Sequence, residues 1–273
     1  MKNILVGYDF SPLSEEALKT SGAFAEVYNA RLFVLNVIPR PPMMETAMST
    51  IELLKKERKE KILEKLKELG LEGEVIVDAT DSCFAETIMK TAESVGADLI
   101  GLGRASMDIN ENDFVGSVVL TLKSISSIPL LITTHRARTR FNRVLVPVSE
   151  KRDSFESIVF AVDFCKRAGC KLTILNVFET AGFKFTQAEA DRVKDIFEEN
   201  LKPYTTILKD VEYEIKIIPH ETASAGIIMF AKESNADLII MERRKKLNLL
   251  QRLFYQSTTL RVIRGATVPV LAL

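Results

Sequence analysis

The chain has 273 residues, which is enough for two ordinary domains or one large one. Hydrophobic residues make up 47% and charged residues 27% of the chain, as in a soluble globular protein, and 37 basic residues balance 37 acidic ones. This balance gives no general attraction to nucleic acid or to an anionic membrane, and two histidines exclude a histidine-rich metal site.

The first half of the chain alternates short apolar runs with amphipathic segments. Ser11 and Pro12 favour a helix start, with Ser11 as the cap, and Gly70 favours a helix end. Strands are predicted over 4–8, 31–38, 74–78, 98–103 and 130–133, and helices over 11–28, 50–69, 82–95 and 116–126. The lysine- and glutamate-rich run in the second of these helices is typical of a solvated face rather than of a nucleic-acid site.

The second half repeats the plan of the first. Four short segments recur in order at an offset of 139 or 140 residues: 3–6 and 143–146, 35–37 and 175–177, 97–100 and 236–239, and 128–131 and 268–271. We therefore predict two homologous domains, residues 1–137 and 141–273, joined by a basic stretch near 136–140. Strands are predicted near 143–148, 171–178, 212–218, 237–242 and 269–273.

Strands that alternate with helices indicate an α/β fold. Each half is predicted to be a Rossmann-like domain, a five-stranded parallel sheet with helices on both faces. Such sheets bind ligands at the carboxyl ends of their strands, where the strand order reverses. Residues 8–11, 37–39 and 103–106 all follow strands of the first half, so we expect them to converge on one crevice.

The ends of the chain and its cysteines bear on the compartment. The amino-terminal residues enter a strand directly, with no signal peptide, and no apolar run is long enough to span a bilayer, so a cytoplasmic protein is expected. Cys83, Cys165 and Cys170 form no CxxC pair and are expected to be reduced, buried thiols.

The stretch from Ala97 to Ser117 carries the chemistry of the first half. Its apolar strand ends at Gly103, and a periodic apolar segment opens at Gly116 and Ser117. A glycine-ended strand that faces a helix N-terminus suits a phosphate, because unpaired amides at the positive end of the helix dipole attract anions. The alternative is an ordinary strand–loop–helix connection with a serine cap.

These motifs resemble the universal stress protein family in its tandem two-domain form, over essentially the whole chain. The resemblance is carried by the segments 7–11, 36–38, 97–103, 116–118 and 128–131. Members that bind ATP carry Gly-x2-Gly-x9-Gly-Ser/Thr, and this chain has Gly103-x2-Ser106-x9-Gly116-Ser117. The spacing is kept, while one glycine is replaced by Ser106. The implied fold is that of the adenine nucleotide alpha hydrolase-like group.

The resemblance implies an adenine-nucleotide site in the first domain. Asp9 would lie at the adenine and ribose end, the Val37 backbone would bond the adenine edge, and the residues around Gly103 and Gly116 would line the phosphates. The implied site residues are Gly7, Tyr8, Asp9, Ser11, Val37, Ile38, Leu102, Gly103, Arg104, Ser106, Gly116, Ser117 and Val118. Alternatively, Asp9 only orders the turn, Ser117 only caps a helix, Val37 is only a core residue and Arg104 is solvated.

Two departures from the family motif affect the expected ligand. Ser106 adds a side chain where a backbone must come close, and Asp108, Glu111 and Asp113 place carboxylates in the intervening loop. Carboxylates repel a triphosphate unless Mg²⁺ intervenes. We expect either weaker ATP binding, with Mg²⁺ as a candidate cofactor, or a preference for AMP. A methionine-rich loop, Met43 and Met44, is either a cover for adenine or an ordinary surface loop.

The second domain has lost the phosphate motif. Ser149 stands where Asp9 stands in the first domain, Glu242 replaces the strand-end glycine, and Gln256-Ser257 replaces Gly116-Ser117. The basic run 243–246 fits a solvated loop better than a binding site. This domain is therefore predicted to be a degenerate partner without nucleotide.

The sequence predicts a cytoplasmic nucleotide-binding sensor in the stress response, with one nucleotide in the first domain. The alternatives are a slow ATPase and a nucleotide-free interaction scaffold. The sequence has no Walker motif and no serine- or cysteine-histidine pair, which argues against efficient catalysis. His135 and His220 are expected to be structural or exposed. The family resemblance also implies a pseudo-dimer of the two domains or a homodimer through the last strands, 130–133 and 271–273. An unidentified protein partner is expected, but no nucleic acid and no membrane.

Overall fold

The computed structural model describes residues 1–40, 48–81, 83–104, 116–149, 156–180, 187–242 and 257–273. The chain divides into two compact units, Met1–Thr139 and Arg140–Leu273, called here the first and second unit. No helix in the described ranges is long and apolar enough to cross a membrane.

The first unit alternates strands and helices along its whole length. Its strands are β1 (Asn3–Gly7), β2 (Arg31–Pro39), β3 (Glu74–Thr80), β4 (Leu99–Gly103) and β5 (Leu130–Thr133), and its helices are α1 (Pro12–Tyr28), α2 (Met48–Glu68), α3 (Phe84–Ser94) and α4 (Ser117–Ile125). All strand pairs in this unit are parallel, in the order β3-β2-β1-β4-β5. The predicted α/β class and the parallel sheet are confirmed.

The local signals read from the first half act as expected. Ser11 caps α1, since its hydroxyl accepts a hydrogen bond from the Ser14 amide at 3.2 Å, and Pro12 occupies the first helical position. Gly70 ends α2 with φ of 66°, a left-handed conformation that glycine adopts without strain. The middle strands β1 and β4 are buried because helices cover both faces of a parallel sheet.

The second unit follows the same plan. Its strands are β6 (Arg143–Pro147), β7 (Lys171–Glu179), β8 (Tyr213–His220), β9 (Leu238–Met241) and β10 (Val270–Ala272). Its helices are α5 (Glu156–Ala168), α6 (Gln187–Leu201), α7 (Thr205–Leu208), α8 (Ala223–Glu233) and α9 (Thr258–Gly265). The strand order is β8-β7-β6-β9-β10, again with parallel pairs.

An aspartate explains why one short sequence segment occurs in both halves. In the first unit, Asp98 Oδ2 accepts hydrogen bonds from the backbone amides of Lys2 and Asn3, where β1 begins. In the second unit, Asp237 Oδ2 accepts from the amides of Asn142, at 2.9 Å, and Arg143, at 3.1 Å. The aspartate that precedes the fourth strand of each unit therefore fixes the start of its first strand.

Asp98→Asn is expected to lower the free energy of unfolding at neutral pH by about 1 kcal/mol, since the side chain is exposed and its bonds are partly screened. Burial disfavours the ionised carboxyl of Asp98, but the amides of Lys2 and Asn3 outweigh this and hold its pKa below the ordinary value of 3.8. Because the folded pKa is depressed, the stabilisation is present above 3.8 and is lost as pH falls through the folded pKa. Urea unfolding of both proteins at neutral and strongly acidic pH measures this, and an equal difference at the two pH values would contradict it.

The cysteines depart from the expectation of three reduced, buried thiols. Cys165, in α5, and Cys170, just before β7, are both buried and are joined as a disulfide. Cys83 is free but exposed, at the start of α3. The expectation was wrong because the count of cysteines does not reveal that a helix end and the following strand bring two of them together.

Candidate functional site

The strand order of the first unit reverses between β1 and β4. The chain leaves β1 through α1 toward β2 on one side, and it enters β4 from α3 on the other. In a parallel sheet, the crevice at the carboxyl ends of two such strands is the usual ligand site. The described residues that are predicted to bind a nucleotide lie at or just after the ends of β1, β2 and β4, or at the start of α4.

Two glycines at this edge allow close packing. An added Cβ on Gly103 would lie 2.9 Å from both the carbonyl carbon and the carbonyl oxygen of Leu13, in the first turn of α1. An added Cβ on Gly7 would meet only the end of the Leu102 side chain, also at 2.9 Å. A side chain at position 103 would therefore collide with the main chain of Leu13, so this position requires glycine. A side chain at position 7 would meet only the Leu102 side chain, which can move.

The turn between β1 and α1 is organised by Asp9. Its Oδ1 accepts a hydrogen bond from the Ser11 amide at 3.0 Å, and its own amide donates to the Ser14 hydroxyl at 3.2 Å. Asp9 therefore does order the turn, which was the alternative interpretation of this residue. The bond engages one carboxylate oxygen and holds the half-buried side chain at the strand end.

Asn36 of β2 joins this turn to a helix. Its side-chain amide donates to the Tyr8 carbonyl at 2.7 Å, and its Oδ1 accepts from Arg58 of α2 at 2.9 Å. Asn36 is 1% exposed, and its bond to the Tyr8 carbonyl is buried, whereas its bond to Arg58 is partly buried. Burial, followed by the charge of Glu15, raises the pKa of the buried Tyr8 hydroxyl above its usual value.

Phe10 is a strained residue in the same turn. Its φ of 67° lies in the left-handed region, where a bulky side chain is rare and costly. Its ring is 40% exposed, packs edge-on against Tyr8 at a centroid distance of 5.1 Å, and lies 5.9 Å from the Arg58 guanidinium carbon. The strain is thus held in place by contacts from two other residues.

The second strand extends beyond the end of β1. Gly7 is the last residue of β1 and pairs with Leu35, and the Tyr8 amide then donates to the Leu35 carbonyl at 2.8 Å. Main-chain groups of alternate residues in a strand point to the same side. The amide and carbonyl of Val37 therefore point toward the β1 side of the strand, as those of Leu35 do. Because β1 ends at Gly7, no residue of β1 lies opposite Val37. Ile38 and Leu102, both 5% exposed, belong to the surrounding core.

Arg104 is buried rather than solvated. It follows β4 directly and is only 5% exposed. Its amide donates to the Thr133 carbonyl at 2.8 Å, and its carbonyl accepts from the Gly116 amide at 2.9 Å. Its Nη2 lies 3.2 Å from Nε2 of His135, just beyond β5. The main chain of Arg104 therefore connects the ends of β4 and β5 with the start of α4.

Helix α4 begins without a side-chain cap. Gly116 is the cap residue and offers no side chain, and the first turn contains no acidic residue. Gly116 is buried, Val118 is half-buried and Ser117 is exposed. The first amides of this helix are donors at the positive end of its dipole, which is the geometry that binds anions.

The corresponding strand end of the second unit holds a carboxylate. Glu242 occupies the position of Gly103, and its Oε1 accepts a hydrogen bond from the Ser157 amide in the first turn of α5 at 2.9 Å. Its carbonyl accepts from the Thr259 hydroxyl of α9 at 3.1 Å. A group of the protein itself thus binds the helix amide at this edge.

Helix α9 is also capped from within. The hydroxyl of Ser257 accepts a hydrogen bond from the Leu260 amide at 3.3 Å. Ser149, at the position of Asp9, is exposed. The helix that corresponds to α4 therefore has one of its free amides satisfied by its own cap residue.

Several sequence predictions lie outside the described residues. These are Ser106 of the phosphate motif, the acidic residues Asp108, Glu111 and Asp113, Met43 and Met44, the basic run 243–246 and Gln256. The roles inferred for them stay predictions. Within the described ranges, no group of three or more His, Cys, Asp or Glu residues is placed to hold a metal ion.

A polar cavity of about 340 Å³ lies in the second unit, at the amino ends of β6 and β7. It is on the opposite edge from the strand ends discussed above. Its Arg143 side chain donates to the Ser234 carbonyl at 3.1 Å, and the Thr173 hydroxyl donates to Glu214 at 3.1 Å. We assign no ligand to this cavity because these lining groups bind one another.

Comparison with known sequences identifies the family. The sequence pattern described as "Universal stress protein family" matches residues 1–134 and again residues 140–273. The chain belongs to the universal stress protein family. It contains two copies of the family domain in tandem, as the internal repeat predicted.

Known structures agree with this universal stress protein fold. A universal stress protein from Archaeoglobus fulgidus is 23% identical, with 99% of this chain and 97% of that one covered and a TM-score of 0.70. A functionally unknown protein from Pseudomonas aeruginosa is 18% identical, with 100% and 92% covered and a TM-score of 0.68. A universal stress protein from A. fulgidus in complex with dAMP is 20% identical, covering 48% of this chain and 97% of that one, with a TM-score of 0.38. A search of curated proteins found no match.

Three residues of the candidate site were not predicted from the sequence. Arg58 lies in the charged run of α2 that was assigned to a solvated face, and nothing in that run distinguishes it. Phe10 was part of the family motif, but its left-handed φ is not visible in the sequence. His135 was expected to be structural or exposed; it is exposed, and it also contacts Arg104.

Proposed function

We propose that the first unit binds one adenine nucleotide, with its phosphates at the start of α4 beside Gly103 and Arg104. The observation that carries the proposal is the uncapped N-terminus of α4, where the cap residue Gly116 donates a hydrogen bond to the carbonyl of the buried Arg104. Backbone amides at a helix start and an arginine are the two groups that proteins use most often for phosphate. The Ser117 hydroxyl, exposed in the first turn, is a further donor within the same helix start.

The base and ribose would lie at the ends of β1 and β2. The main chain of Val37 points to the side that β1 has vacated, which supports hydrogen bonds to an adenine edge. Asp9 uses Oδ1 to order the turn, and Oδ2 would accept from a ribose hydroxyl. Tyr8 and Ile38 are buried and would support this edge from the core. The proposal covers ATP and AMP alike.

We further propose that the second unit binds no nucleotide. Glu242 places a carboxylate where Gly103 leaves room, and Ser257 caps the helix that would receive the phosphate. An anion at this edge would meet the negative charge of Glu242 and would have to displace two internal hydrogen bonds. The two units would then differ in function while sharing one fold.

The proposed role is binding and signalling in the stress response rather than turnover. The described groups at the phosphate end are amides, hydroxyls, Arg104 and His135, and Nε2 of His135 is engaged by Arg104 rather than by a nucleophile. Nucleotide occupancy would then set the conformation or the choice of partner. Cytoplasmic location, dimerisation through 130–133 and 271–273, a protein partner and Mg²⁺ stay predictions.

Calorimetric titration of nucleotide-free protein with ATP and with AMP tests the proposal. We expect one site per chain and a loss of affinity of at least about tenfold in Arg104→Met, because a charge-assisted hydrogen bond to phosphate is removed. Arg261→Met is the matched control, since Arg261 is an exposed arginine in α9 of the second unit, and its affinity should stay within about twofold.

Each other outcome points to a different function. Two sites per chain would refute the assignment of the second unit as nucleotide-free. ATP hydrolysis well above background that is lost in Asp9→Ala would indicate an enzyme. No heat of binding and no thermal stabilisation with either nucleotide would leave an interaction scaffold, because a ligand that binds only the folded state must raise apparent stability.

A further inference from the structure

A histidine and a buried arginine meet at the phosphate end of the site. Arg104 is 5% exposed, and its Nη2 lies 3.2 Å from Nε2 of His135. Arginine is always protonated in proteins and can only donate hydrogen bonds. Nε2 of His135 must therefore be the acceptor, so the ring is neutral and carries its proton on Nδ1.

The surroundings of His135 explain why it is neutral. Partial burial of the ring and, after it, the positive charge of Arg104 lower the pKa of His135 below its ordinary value of 6.5. On the side of α1, Glu16 accepts a hydrogen bond from the Ala137 amide and is paired with Lys19 at 2.8 Å. These two opposite charges bind each other, and among the described residues Arg104 is the charge that acts on His135.

The strand end beside this pair also holds unsatisfied donors. Thr133 closes β5 and Thr134 follows it, and both are completely buried. Within the part of the chain that the structure describes, their hydroxyl oxygens have no hydrogen-bond partner. The two buried hydroxyls therefore lie in the segment that leads from β5 to His135, and the buried Arg104 lies at the end of the neighbouring strand β4.

We propose that His135 takes up a proton when a phosphate anion binds beside Arg104, which makes nucleotide binding dependent on pH. This inference rests on the proposed function, which places the phosphates at Arg104. A bound anion offsets the positive field that keeps the ring neutral, and it offers an acceptor for the new N–H of the imidazolium. His135 then changes from a hydrogen-bond acceptor of Arg104 to a donor toward the phosphate.

The sign of the pH dependence follows from proton uptake. The anion-bound state binds more protons than the free state, so affinity rises as pH falls through the range in which His135 titrates. The phosphate of AMP also titrates in this pH range and changes the affinity by itself. Beyond that change, the affinity for AMP should be about three to ten times higher at about pH 6 than at about pH 8. His135→Gln removes this additional pH dependence, whereas His220→Gln keeps it.

Ring NMR signals provide the direct test. The chain has two histidines, so His220→Gln leaves only the His135 signals. These are titrated with pH in the free protein, with inorganic pyrophosphate and with AMP. We expect both ligands to raise the pKa of His135. We expect Arg104→Met to raise it in the free protein and to abolish the effect of the ligands.

The outcomes separate this inference from the proposed function. If AMP binds by calorimetry but the pKa of His135 does not move, the inference is wrong and the function stands. If pyrophosphate raises the pKa while no adenine nucleotide binds, the nucleotide function fails and the proton-linked anion site stands. If neither ligand binds or moves the signal, both are refuted.

Discussion

Gly103→Ala is expected to destabilise the first unit by about 1–3 kcal/mol and to weaken nucleotide binding by at least about tenfold. The new Cβ would lie 2.9 Å from the carbonyl carbon and oxygen of Leu13, which is closer than real Cβ contacts come. Because this obstacle is main chain, the first turn of α1 and the end of β4 must move apart. That movement displaces the turn at Asp9 and the main chain of Arg104 together.

Gly7→Ala is the matched control for this experiment. It makes the same substitution at the neighbouring strand end, but the group within 2.9 Å is the tip of the Leu102 side chain, which can adopt another rotamer. Hydrogen exchange followed by mass spectrometry measures the stability of each unit in the intact chain. Equal losses in the two variants would show that backbone contact at Gly103 is not what matters.

Asn36→Leu is expected to destabilise the first unit by about 2–4 kcal/mol. The substitution removes the donor to the Tyr8 carbonyl and the acceptor for the Arg58 guanidinium, and it leaves a buried carbonyl unpaired. It should also weaken nucleotide binding, because the turn that holds Asp9 loses its connection to β2. Hydrogen exchange and AMP calorimetry on the intact chain measure the two effects.

Asn176→Leu in the second unit is the control that the repeat provides. Asn176 makes the matching bond to the Val148 carbonyl at 3.0 Å, but its Oδ1 has no hydrogen-bond partner among the described residues. Asn176→Leu should therefore lower the free energy of unfolding by only about 1–2 kcal/mol. The loss of stability in Arg58→Met should account for the difference between the two asparagine variants. If the two asparagine variants lose the same stability, the bond to Arg58 contributes nothing.

The fold was accessible from the sequence because its signals are local and occur twice. The strand segments 130–133 and 31–38, the cap at Ser11 and the glycine at 70 each act over a few residues. The repeat at an offset of about 140 residues then required both halves to form the same sheet. Element ends moved by one or two residues, because helix ends depend on hydrogen bonds that no local pattern specifies.

The candidate site was accessible only in outline. The glycines and the strand ends marked the edge of the sheet, but the partners that shape the site come from distant segments. Arg58 contacts Asn36 from the middle of a charged helix. His135, which follows β5, contacts Arg104, which follows the neighbouring strand β4. Such contacts depend on how α2 and β5 pack, and composition and spacing carry no information about that packing.

The disulfide shows the same limit. Cys165 and Cys170 are five residues apart, and a helix end followed by a strand brings them together. The cysteine count gave no indication of this pairing. Glu242 differs from the disulfide in this respect. The sequence showed that Glu242 replaces a glycine, but it did not show that Glu242 binds the Ser157 amide.

The parallel pairing of β1 with β4 has a consequence for biosynthesis. β1 lies inside the sheet of the first unit, and its residue Ile4 pairs with Leu99, 95 positions later. At ordinary ribosomal speeds of about 5–20 residues per second, this strand waits roughly 5–20 s for its neighbour to be synthesised. During that time Ile4, Leu5 and Val6, which are completely buried in the finished unit, cannot reach their final surroundings. We therefore expect each unit to expose a short apolar strand during synthesis, which is the kind of segment that a chaperone binds.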